Sequence, residues 1–349
     1  MTTQAPSLLV LERLGGWTAQ WNHLVDLSPL PSPFLRSWWL TGAGGPQPRF
    51  LLVVRENQLV GGLAVEEGHR LGLPFLRMMG AGPLAPDHLD LLAVPGQEDA
   101  VVDCLEPWLR QPGTRLIDFA GIRAGSRLTT ALPTNVRREP PAVAPWTPLP
   151  ADFETYMAAC PALFRRNVRK ASARLTRAGA THRRSKGMQV VESLATLRRL
   201  HDAQWGKRSF LLPAFDRFAA ACRLAVDFDE ISVHELTVGQ TVIAIVVTFE
   251  VAGRVSLYQS ARLTDPRWRS ATTVLLAEII GDACLRGFTE ADFLRGDESY
   301  KANFATARRE LLRLRAANGP AGRAAMMLET AARKLKHLAD HAHAATGQH

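Results

Sequence analysis

The stretch Asp292–Lys301, with the sequence DFLRGDESYK, contains the residue types that acid–base chemistry needs. Asp297 and Glu298 stand beside Tyr300 and Lys301, directly after EADFL, whose pattern predicts a buried strand. A phenol, with an ordinary pKa near 10, can donate a proton at neutral pH, and a carboxylate can accept one. An ammonium group can stabilise a developing negative charge. The same side chains could instead form exposed ion pairs worth about 0–1 kcal/mol, and the residue types alone favour that simpler interpretation.

A second candidate site is the segment DPRWRSATT, which leads from a predicted loop into a predicted helix at Ala271–Arg286. Ser270 is the predicted N-cap of this helix, and Gly287 is its predicted end. A helix start offers backbone N–H groups without partners and the positive end of the helix dipole, which together suit a pyrophosphate. Arg267 and Arg269 would add charge and directional donors. An arginine-decorated loop with a serine cap is the alternative interpretation.

Two further polar clusters lie on predicted helices. His201 and Trp205 are four residues apart and therefore share a helix face, where a hydrogen-bonded imidazole and a packed indole would be purely structural. The run Arg165–Lys186 holds nine basic residues and no acidic residue. Such a run could follow a phosphate backbone, although we favour a solvated helix face, because the run lacks the interleaved aromatic residues that stack on bases.

These residues must be positioned by a fold, and the chain length of 349 residues with 46% hydrophobic residues predicts a globular protein of two domains. Six prolines within residues 133–150 predict a segment that can form neither a helix nor a central strand. We therefore place the boundary there, between residues 1–145 and 146–349. In each half a predicted meander leads to a helix and then to a strand ending in Asp-Phe, as LIDFAG and EADFLRG, which predicts a duplicated α/β unit.

The charge is unevenly distributed between the halves. Residues 1–150 contain 12 Lys+Arg and 13 Asp+Glu, whereas residues 151–349 contain 30 and 20. The second half thus carries all of the excess positive charge, which favours an anionic partner such as a nucleotide cofactor, a nucleic acid or an acidic substrate. The longest apolar run, VIAIVVTF, is too short for a membrane helix, and the N-terminus lacks a signal-peptide pattern, so we expect a cytoplasmic protein without a membrane span.

Several common site types are missing from the sequence. WGKRS has a Gly-Lys pair without the rest of a P-loop, and there is no GxSxG elbow and no Rossmann glycine pattern. The four cysteines make no CxxC, so we expect buried, reduced thiols. His337 and His341, at i and i+4 near the C-terminus, could ligate a metal, but we favour chance histidines in a tail. We therefore expect no metal site.

The order of meander, loop, helix and strand in the second half resembles the C-terminal part of the GNAT acyltransferase superfamily. RWRSAT matches that superfamily's loop pattern Q/R-x-x-G-x-G/A at Arg267, but Ser270 and Thr272 replace its glycines, and bulkier residues keep a phosphate farther from the backbone. LHDAQW, LYQSARLTDPRWRSATTVLLAEII and ADFLRGDESYKANF resemble the CelD-like and FemAB-like branch. YKANF resembles the Phe/Tyr-Lys-x-x-Phe signature of its peptidyltransferases. SPFLRSWWL and GPLAPDHLDLL in the first half resemble the same branch.

This resemblance implies an α/β (α+β) protein of two tandem GNAT-like domains, each with a mixed, mostly antiparallel sheet flanked by helices. The second domain would be the acyltransferase and would end in a basic helix. The implied activity is an N-acyltransferase that moves an acyl group, with acetyl the first choice, from acyl-CoA to an amine by direct attack. Two alternatives stay open: a FemAB-like peptidyltransferase that uses aminoacyl-tRNA, and a non-catalytic GNAT-fold binding protein, which the replaced glycines would favour.

The resemblance also implies residue roles. Tyr300 would protonate the leaving thiolate, Lys301 would stabilise an oxyanion or hold a phosphate, and the carboxylates would accept the proton of the amine. The implied catalytic residues are Tyr300, Lys301, Asp297, Glu298 and Asp292; the implied acyl-CoA-binding residues are Tyr258, Gln259, Ser260, Arg267, Arg269, Ser270, Ala271 and Thr272; and the implied acceptor-binding residues are His201 and Trp205.

Overall fold

The computed structural model describes residues 4–331 of the chain. Its strands are β1 (Ser7–Leu11), β2 (Pro48–Arg55), β3 (Gln58–Arg70), β4 (Leu73–Met78), β5 (Leu92–Ala93), β6 (Arg115–Arg123), β7 (Arg137–Pro148), β8 (Ala180–Ser185), β9 (Ile231–Val238), β10 (Thr241–Val251), β11 (Arg254–Arg262), β12 (Glu290–Asp292) and β13 (Ala307–Asn318). Its α-helices are α1 (Thr18–Leu27), α2 (Ser37–Ala43), α3 (Glu98–Leu109), α4 (Leu128–Ala131), α5 (Phe153–Ala159), α6 (Ala162–Arg177), α7 (Met188–Trp205), α8 (Phe215–Val226), α9 (Ala271–Leu285) and α10 (Lys301–Phe304). A further helix occupies residues 319–331, at the end of the described chain. His337, His341 and most of the predicted basic C-terminal helix lie outside the described residues.

The two halves repeat one arrangement of elements, as the sequence predicted. In the first half the antiparallel strands β2, β3 and β4 are followed by α3 and then by β6, which pairs with β4 in parallel. In the second half the antiparallel strands β9, β10 and β11 are followed by α9 and then by β12, which pairs with β11 in parallel. Each half is therefore a mixed, mostly antiparallel unit with helices against its strands.

The halves share one continuous sheet because they exchange a strand. The strand order is β1-β2-β3-β4-β6-β13-β7-β12-β11-β10-β9-β8, with β5 beside β3. β7 follows the first unit in sequence but pairs with β12 of the second, whereas β13 follows the second unit but pairs with β6 of the first. β7 and β13 also pair with each other at the centre of the sheet. The predicted boundary at residues 145 and 146 thus falls inside β7, and the division of the chain into domains there stays a prediction.

The proline-rich segment forms a central strand, so the prediction that it could not was wrong. Its pairing with β13 shifts register opposite Leu312, where the adjacent Pro140 and Pro141 stand. A bulge at this position removes the need for either proline to donate to the ladder. Pro145 takes part as an acceptor, since its carbonyl receives the N–H of Phe293 at 2.9 Å. Pro140 and Pro141 are tolerated here because their missing N–H groups coincide with irregular pairing.

The largest core cluster contains side chains from both halves. The ring of Phe34, from the first half, meets that of Phe249, on β10, edge to face with centroids 6.0 Å apart. Helices α2 and α8 approach so closely that a Cβ on Gly42 would lie 2.4 Å from the Cα of Ala221. Trp39, three residues before Gly42 in α2, is fully buried against the same aromatic cluster. Aromatic burial of this extent joins the two halves into one body.

Two predictions about the whole chain can be compared with the described residues. Cys160, Cys222 and Cys284 are buried, Cys104 is half-buried, and all four are free thiols, as expected. None of the helices between residues 4 and 331 is long and apolar enough to cross a membrane.

Candidate active site

One cavity of about 770 Å³ lies between the halves of the protein and collects most of the predicted site residues. It is bordered by a loop of the first half, by the end of α7, by β10 and β11, by the start of α9 and by the segment after β12. The predicted site residues that line it are His201, Trp205, Tyr258, Gln259, Ser260, Arg269, Thr272, Glu298, Tyr300 and Lys301. A cavity of this size, with apolar walls and a few polar groups, is typical of a small-molecule site.

The cavity opens where two parallel strands separate. β11 pairs with β12 at only three positions, Arg254–Ser256 against Glu290–Asp292, although β11 continues for six more residues. Beyond this point Leu257, Gln259 and Ser260 of β11 border the cavity from one side. Phe293 and Leu294, which follow β12, border it from the other. Since the two strands no longer satisfy each other there, the edge of β11 is open to a ligand.

Tyr258 lies at a bulge and anchors the first half against this edge. The pairing of β10 with β11 passes from Gln259 to Leu257, so Tyr258 is the extra residue. Its hydroxyl donates to the carbonyl of Leu84 at 2.6 Å, and its ring packs on Trp39 with centroids 5.5 Å apart. Burial raises the pKa of Tyr258 well above its ordinary value, so the phenol stays protonated. Tyr258 lines the cavity and also holds a first-half loop in place.

The start of α9 faces the cavity, but its details differ from the prediction. Ser270 occupies the N-cap position without a side-chain capping hydrogen bond, so the predicted serine cap was wrong. Arg269 and Thr272 line the cavity. Arg267 points elsewhere: its guanidinium donates to Asp265 at 2.7 and 2.9 Å, and this ion pair is outside the cavity lining.

Ser270 and Ala271 also lie outside the lining, and Ala271 is fully buried. Of the two side chains that replace the glycines of the phosphate loop, only that of Thr272 borders the cavity. The first turn of α9, with its backbone N–H groups and the positive end of the helix dipole, therefore lies close to the cavity.

Tyr300 stands at the rim of the cavity, immediately before α10. Its side chain is 39% exposed, and Glu298 lines the cavity beside it. Partial burial, and then the negative charge of Glu298, raise the pKa of Tyr300 to about 12. The phenol is therefore a proton donor at neutral pH. Asp297, the other predicted carboxylate of this stretch, is exposed and lies outside the cavity lining.

Lys301 lines the cavity but is committed to contacts with its own loop. The residue is 5% exposed, and Nζ donates to the carbonyl of Arg295 at 2.7 Å and to that of Leu294 at 3.4 Å. Nζ also lies 3.0 Å from the carboxylate of Glu298. Three acceptors match the three donors of an ammonium group, so Lys301 holds the loop at residues 294–298 in place.

Asp292 lies away from the cavity, contrary to its prediction as a catalytic residue. It is 0% exposed, and its carboxylate lies 2.8 Å from both Nε2 of His88 and Nη2 of Arg254. Burial alone would raise the pKa of Asp292, but His88 and Arg254 outweigh burial and lower it to about 2. A carboxylate held this way between β12 and the first half joins elements and is inaccessible to a substrate.

His201 and Trp205 share one face of α7 and reach the cavity together. Nδ1 of His201 lies 3.0 Å from the hydroxyl of Ser209, and burial lowers the pKa of His201 below its ordinary value. The imidazole is therefore neutral at pH 7. Trp205 is 44% exposed and, with Phe210, adds apolar surface at the cavity rim. Sequence analysis missed Phe210, because an isolated phenylalanine after a helix gives no functional signal.

A loop of the first half also lines the cavity and was missed by sequence analysis. Residues 82–85 and Asp87 of this loop border the cavity, and Arg295 borders it from the segment after β12. None of these residues was among the predicted site residues. Arg295 donates to the Asp87 carboxylate from its backbone N–H at 2.5 Å and from Nε at 2.9 Å. The available signal was GPLAPDHLDLL, which pointed to the family branch without assigning a role to its aspartate.

The basic run is divided by the fold into two parts. In its second part, Arg183 pairs with the buried Glu235, and Arg184 and Lys186 both pair with the buried Glu250. Burial alone would raise the pKa of Glu250, but its hydrogen bonds and neighbouring cations outweigh burial and lower it to about 2. The first part lies on α6, where the exposed basic residues are Arg166, Arg169, Lys170, Arg174 and Arg177.

Comparison with known proteins identifies the fold of this site. Residues 162–302 match the family model of the acetyltransferase (GNAT) domain. No curated protein sequence matches the chain. Among solved structures, the chain is similar to FemX, with 11% identity over 84% of this chain and 95% of that chain and a TM-score of 0.62. It is also similar to the C-terminal domain (DUF2156) of a protein described as a lysylphosphatidylglycerol synthetase from Agrobacterium fabrum, with 12% identity, coverage of 91% and 96%, and a TM-score of 0.58. At these identities the likeness establishes a common fold.

Proposed function

We propose that the protein transfers an acyl group from acyl-CoA to an amine, a function supported by the match of residues 162–302 to the family model of the acetyltransferase (GNAT) domain. The observation that carries this proposal is a single cavity that joins the uncapped start of α9 to Tyr300 and Glu298. Direct acyl transfer from acyl-CoA uses two such parts. A helix start can bind the phosphates of the donor, and a proton donor beside a carboxylate can serve the proton transfers.

The donor side of the cavity suits a nucleotide diphosphate with an extended arm. The first turn of α9 and Arg269 would hold the phosphates. The open edge of β11 at Gln259 and Ser260 would hydrogen-bond the amides of the arm, as an exposed strand edge pairs with extended chains. Acyl-CoA is such a molecule, and it supplies a thioester carbonyl that an amine can attack.

The proton chemistry falls to two side chains at the cavity rim. During transfer a C–N bond forms, the C–S bond breaks, the amine loses a proton and the thiolate gains one. The exposed carboxylate of Glu298 would accept the amine proton, directly or through water. Tyr300, with a pKa of about 12, holds the proton that the thiolate would receive. No covalent enzyme intermediate is needed, since amine and thioester would meet in one cavity.

Binding of acyl-CoA tests this proposal before any acceptor is known. Calorimetry with CoA, acetyl-CoA and longer acyl-CoAs should show binding that weakens as salt is added, because exposed charges are screened. Arg269→Gln should weaken CoA binding by about tenfold, the effect of losing one charged hydrogen bond. Arg127→Gln, which breaks an exposed ion pair with Asp99 in the first half, is the matched control. Absence of binding to every one of these compounds would remove the proposal.

A second candidate function uses aminoacyl-tRNA as the donor, in the manner of FemAB-like peptidyltransferases. The observation in its favour is α6, whose exposed basic residues face solvent without an acidic residue in the helix. Such a face could contact a phosphate backbone, and binding would then fall steeply with salt. Gel-shift titration with charged tRNA, compared with acyl-CoA calorimetry on the same preparation, separates the two candidates. Binding of charged tRNA together with no binding of acyl-CoA would favour this second function.

A further inference from the structure

Arg295 is held rigidly at the wall of the cavity by contacts to both halves. Its backbone N–H donates to one carboxylate oxygen of Asp87 at 2.5 Å. Its side chain reaches the other oxygen, with Nε at 2.9 Å and Nη2 at 2.7 Å. Its backbone carbonyl accepts from Nζ of Lys301 at 2.7 Å. The side chain and both backbone polar groups are thus fixed before any ligand arrives.

The surrounding backbone is shaped to make room for this arginine. Nη2 of Arg295 also lies 3.3 Å from the carbonyl of Pro86. Gly121 stands behind both groups with φ +75, and a Cβ there would lie 2.2 Å from the Pro86 oxygen and 2.8 Å from Nη2. Only glycine combines that φ with that close approach. The position of the guanidinium therefore depends on three separated parts of the chain.

Strained backbone flanks the same pair on both sides. Ala85 and His88, around Asp87, have φ of +43 and +56, and Leu294, next to Arg295, has φ of +54. Residues other than glycine rarely adopt such values, and they persist only where the surrounding structure holds the backbone in place.

One end of the guanidinium remains available to a ligand. Nε and Nη2 are used by Asp87 and Pro86, whereas Nη1 has no hydrogen-bond partner among residues 4–331. The Asp87 side chain is 2% exposed, but that of Arg295 is 32% exposed and borders the cavity. Four cationic and two anionic side chains line the cavity, which favours an anionic occupant: Arg262, Arg269, Arg295 and Lys301 against Asp87 and Glu298.

We propose that Nη1 of Arg295 binds an anionic oxygen, a carboxylate or a phosphate, on the amine acceptor. This inference rests on the proposed acyl transfer, and it makes Arg295 a specificity-determining residue. The donor phosphates are assigned to the start of α9, which is a different element. Arg295 contacts the first half instead, so the acceptor would lie against residues 82–87. A fixed guanidinium binds oxyanions with directional, charge-assisted hydrogen bonds, and prior fixation removes much of the ordering cost.

The experiment uses the full chain with saturating acetyl-CoA and matched pairs of amines. The carboxylate arm compares L-leucine and L-phenylalanine with their carboxamides, and the phosphate arm compares O-phosphoethanolamine with ethanolamine. Acceptor affinity is followed by ligand-induced rise in Tm and by calorimetry, and turnover is followed by release of free thiol. Wild-type protein should favour the anionic member of at least one arm by about 10- to 100-fold, the range expected for a hydrogen bond to a charged group.

Variants then assign the preference to Arg295. In Arg295→Gln the anionic and the neutral amine should bind about equally well, because only the affinity for the anionic amine falls. Arg295→Lys should keep part of the preference for the anionic amine. Arg127→Gln should keep the full preference. If wild-type protein binds acetyl-CoA but shows no preference in either arm, the inference is wrong and the proposed function stands. If Arg295→Gln folds and keeps the preference, the inference is wrong as well. The wild-type comparison decides the matter even if both variants fail to fold.

Discussion

Substitution of Asp292 by asparagine distinguishes a structural carboxylate from a catalytic one. Asp292 has no exposed surface, and its carboxylate lies 2.8 Å from both His88 and Arg254. Asp292→Asn keeps the shape and the acceptor for the N–H of Leu294, which lies 2.8 Å from Oδ1, but removes the charge. The variant should therefore lose stability while the cavity residues keep their chemistry.

The size of the loss follows from the pKa. The pKa of Asp292 is about 2 in the folded protein, against an ordinary value of 3.8. A difference of roughly two pKa units corresponds to roughly 2–3 kcal/mol of folding free energy. Arg254 keeps its ion pair with Glu290, 2.8 Å from Nε, so the expected loss lies at the low end of the roughly 3–5 kcal/mol typical of a broken buried pair. Because the folded pKa is the lower one, this stability is present above pH 4 and is lost as the pH falls toward about 2.

Urea denaturation at a series of pH values measures this contribution. The difference in unfolding free energy between wild type and Asp292→Asn should be about 3 kcal/mol or more at pH 7 and should shrink below pH 4. Asp99→Asn, which removes an exposed ion-pair partner, should change stability by less than about 1 kcal/mol. If Asp292→Asn has wild-type stability but no turnover, the structural role of Asp292 is refuted and a catalytic role is supported instead.

Three further outcomes follow from the same structure. Tyr300→Phe should lower kcat by about 100-fold or more without changing acyl-CoA affinity, because it removes the proton donor; an unchanged kcat in steady-state assays would contradict that role. Gly121→Ala should cost about 2–5 kcal/mol in urea denaturation, since its Cβ would meet the carbonyl of Pro86 at φ +75; wild-type stability would show that the loop yields. Glu250→Gln should lower the free energy of unfolding by roughly 3 kcal/mol at pH 7, because the pKa of Glu250 is about 2 in the folded protein against an ordinary 4.5. The difference from wild type should vanish as the pH falls from 4.5 toward 2, and a difference that persists at low pH would point to packing instead.

Local patterns predicted the elements that depend on local physics. The predicted helix Ala271–Arg286 corresponds to α9 within one residue, because a broad apolar face and a glycine at its end are both encoded nearby. The repeated order of meander, helix and strand was also visible, since each unit forms from consecutive elements. The predicted fold of two repeated α/β units is confirmed by the strand pairing of both halves and by the similarity in fold to FemX, and residues 162–302 match the family model of the GNAT domain. The finer CelD-like assignment and the roles of the site residues stay predictions.

Long-range pairing accounts for what sequence analysis missed. The ion pair between Asp87 and Arg295 joins positions 208 residues apart, and no local pattern indicates that contact. Asp292 was placed in the site because it begins the stretch Asp292–Lys301, but the strand turns its side chain toward His88. The central position of β7 was missed because a proline count cannot reveal which N–H groups a bulge leaves without partners.

The two repeats use equivalent carboxylates for the same structural task, but the space beyond the paired strands differs between them. Asp118 ends the pairing of β4 with β6 and binds Arg70 and Arg313, as Asp292 ends that of β11 with β12 and binds Arg254. In the first unit the helix at residues 319–331 packs Met326 on Leu116 of β6, so that face is covered. In the second unit the corresponding space stays open and receives the first-half loop at residues 82–87. Under the proposed function the second unit would bind the donor and the first-half loop would form a wall for the acceptor, and the exchange of β7 and β13 joins the two units in one sheet.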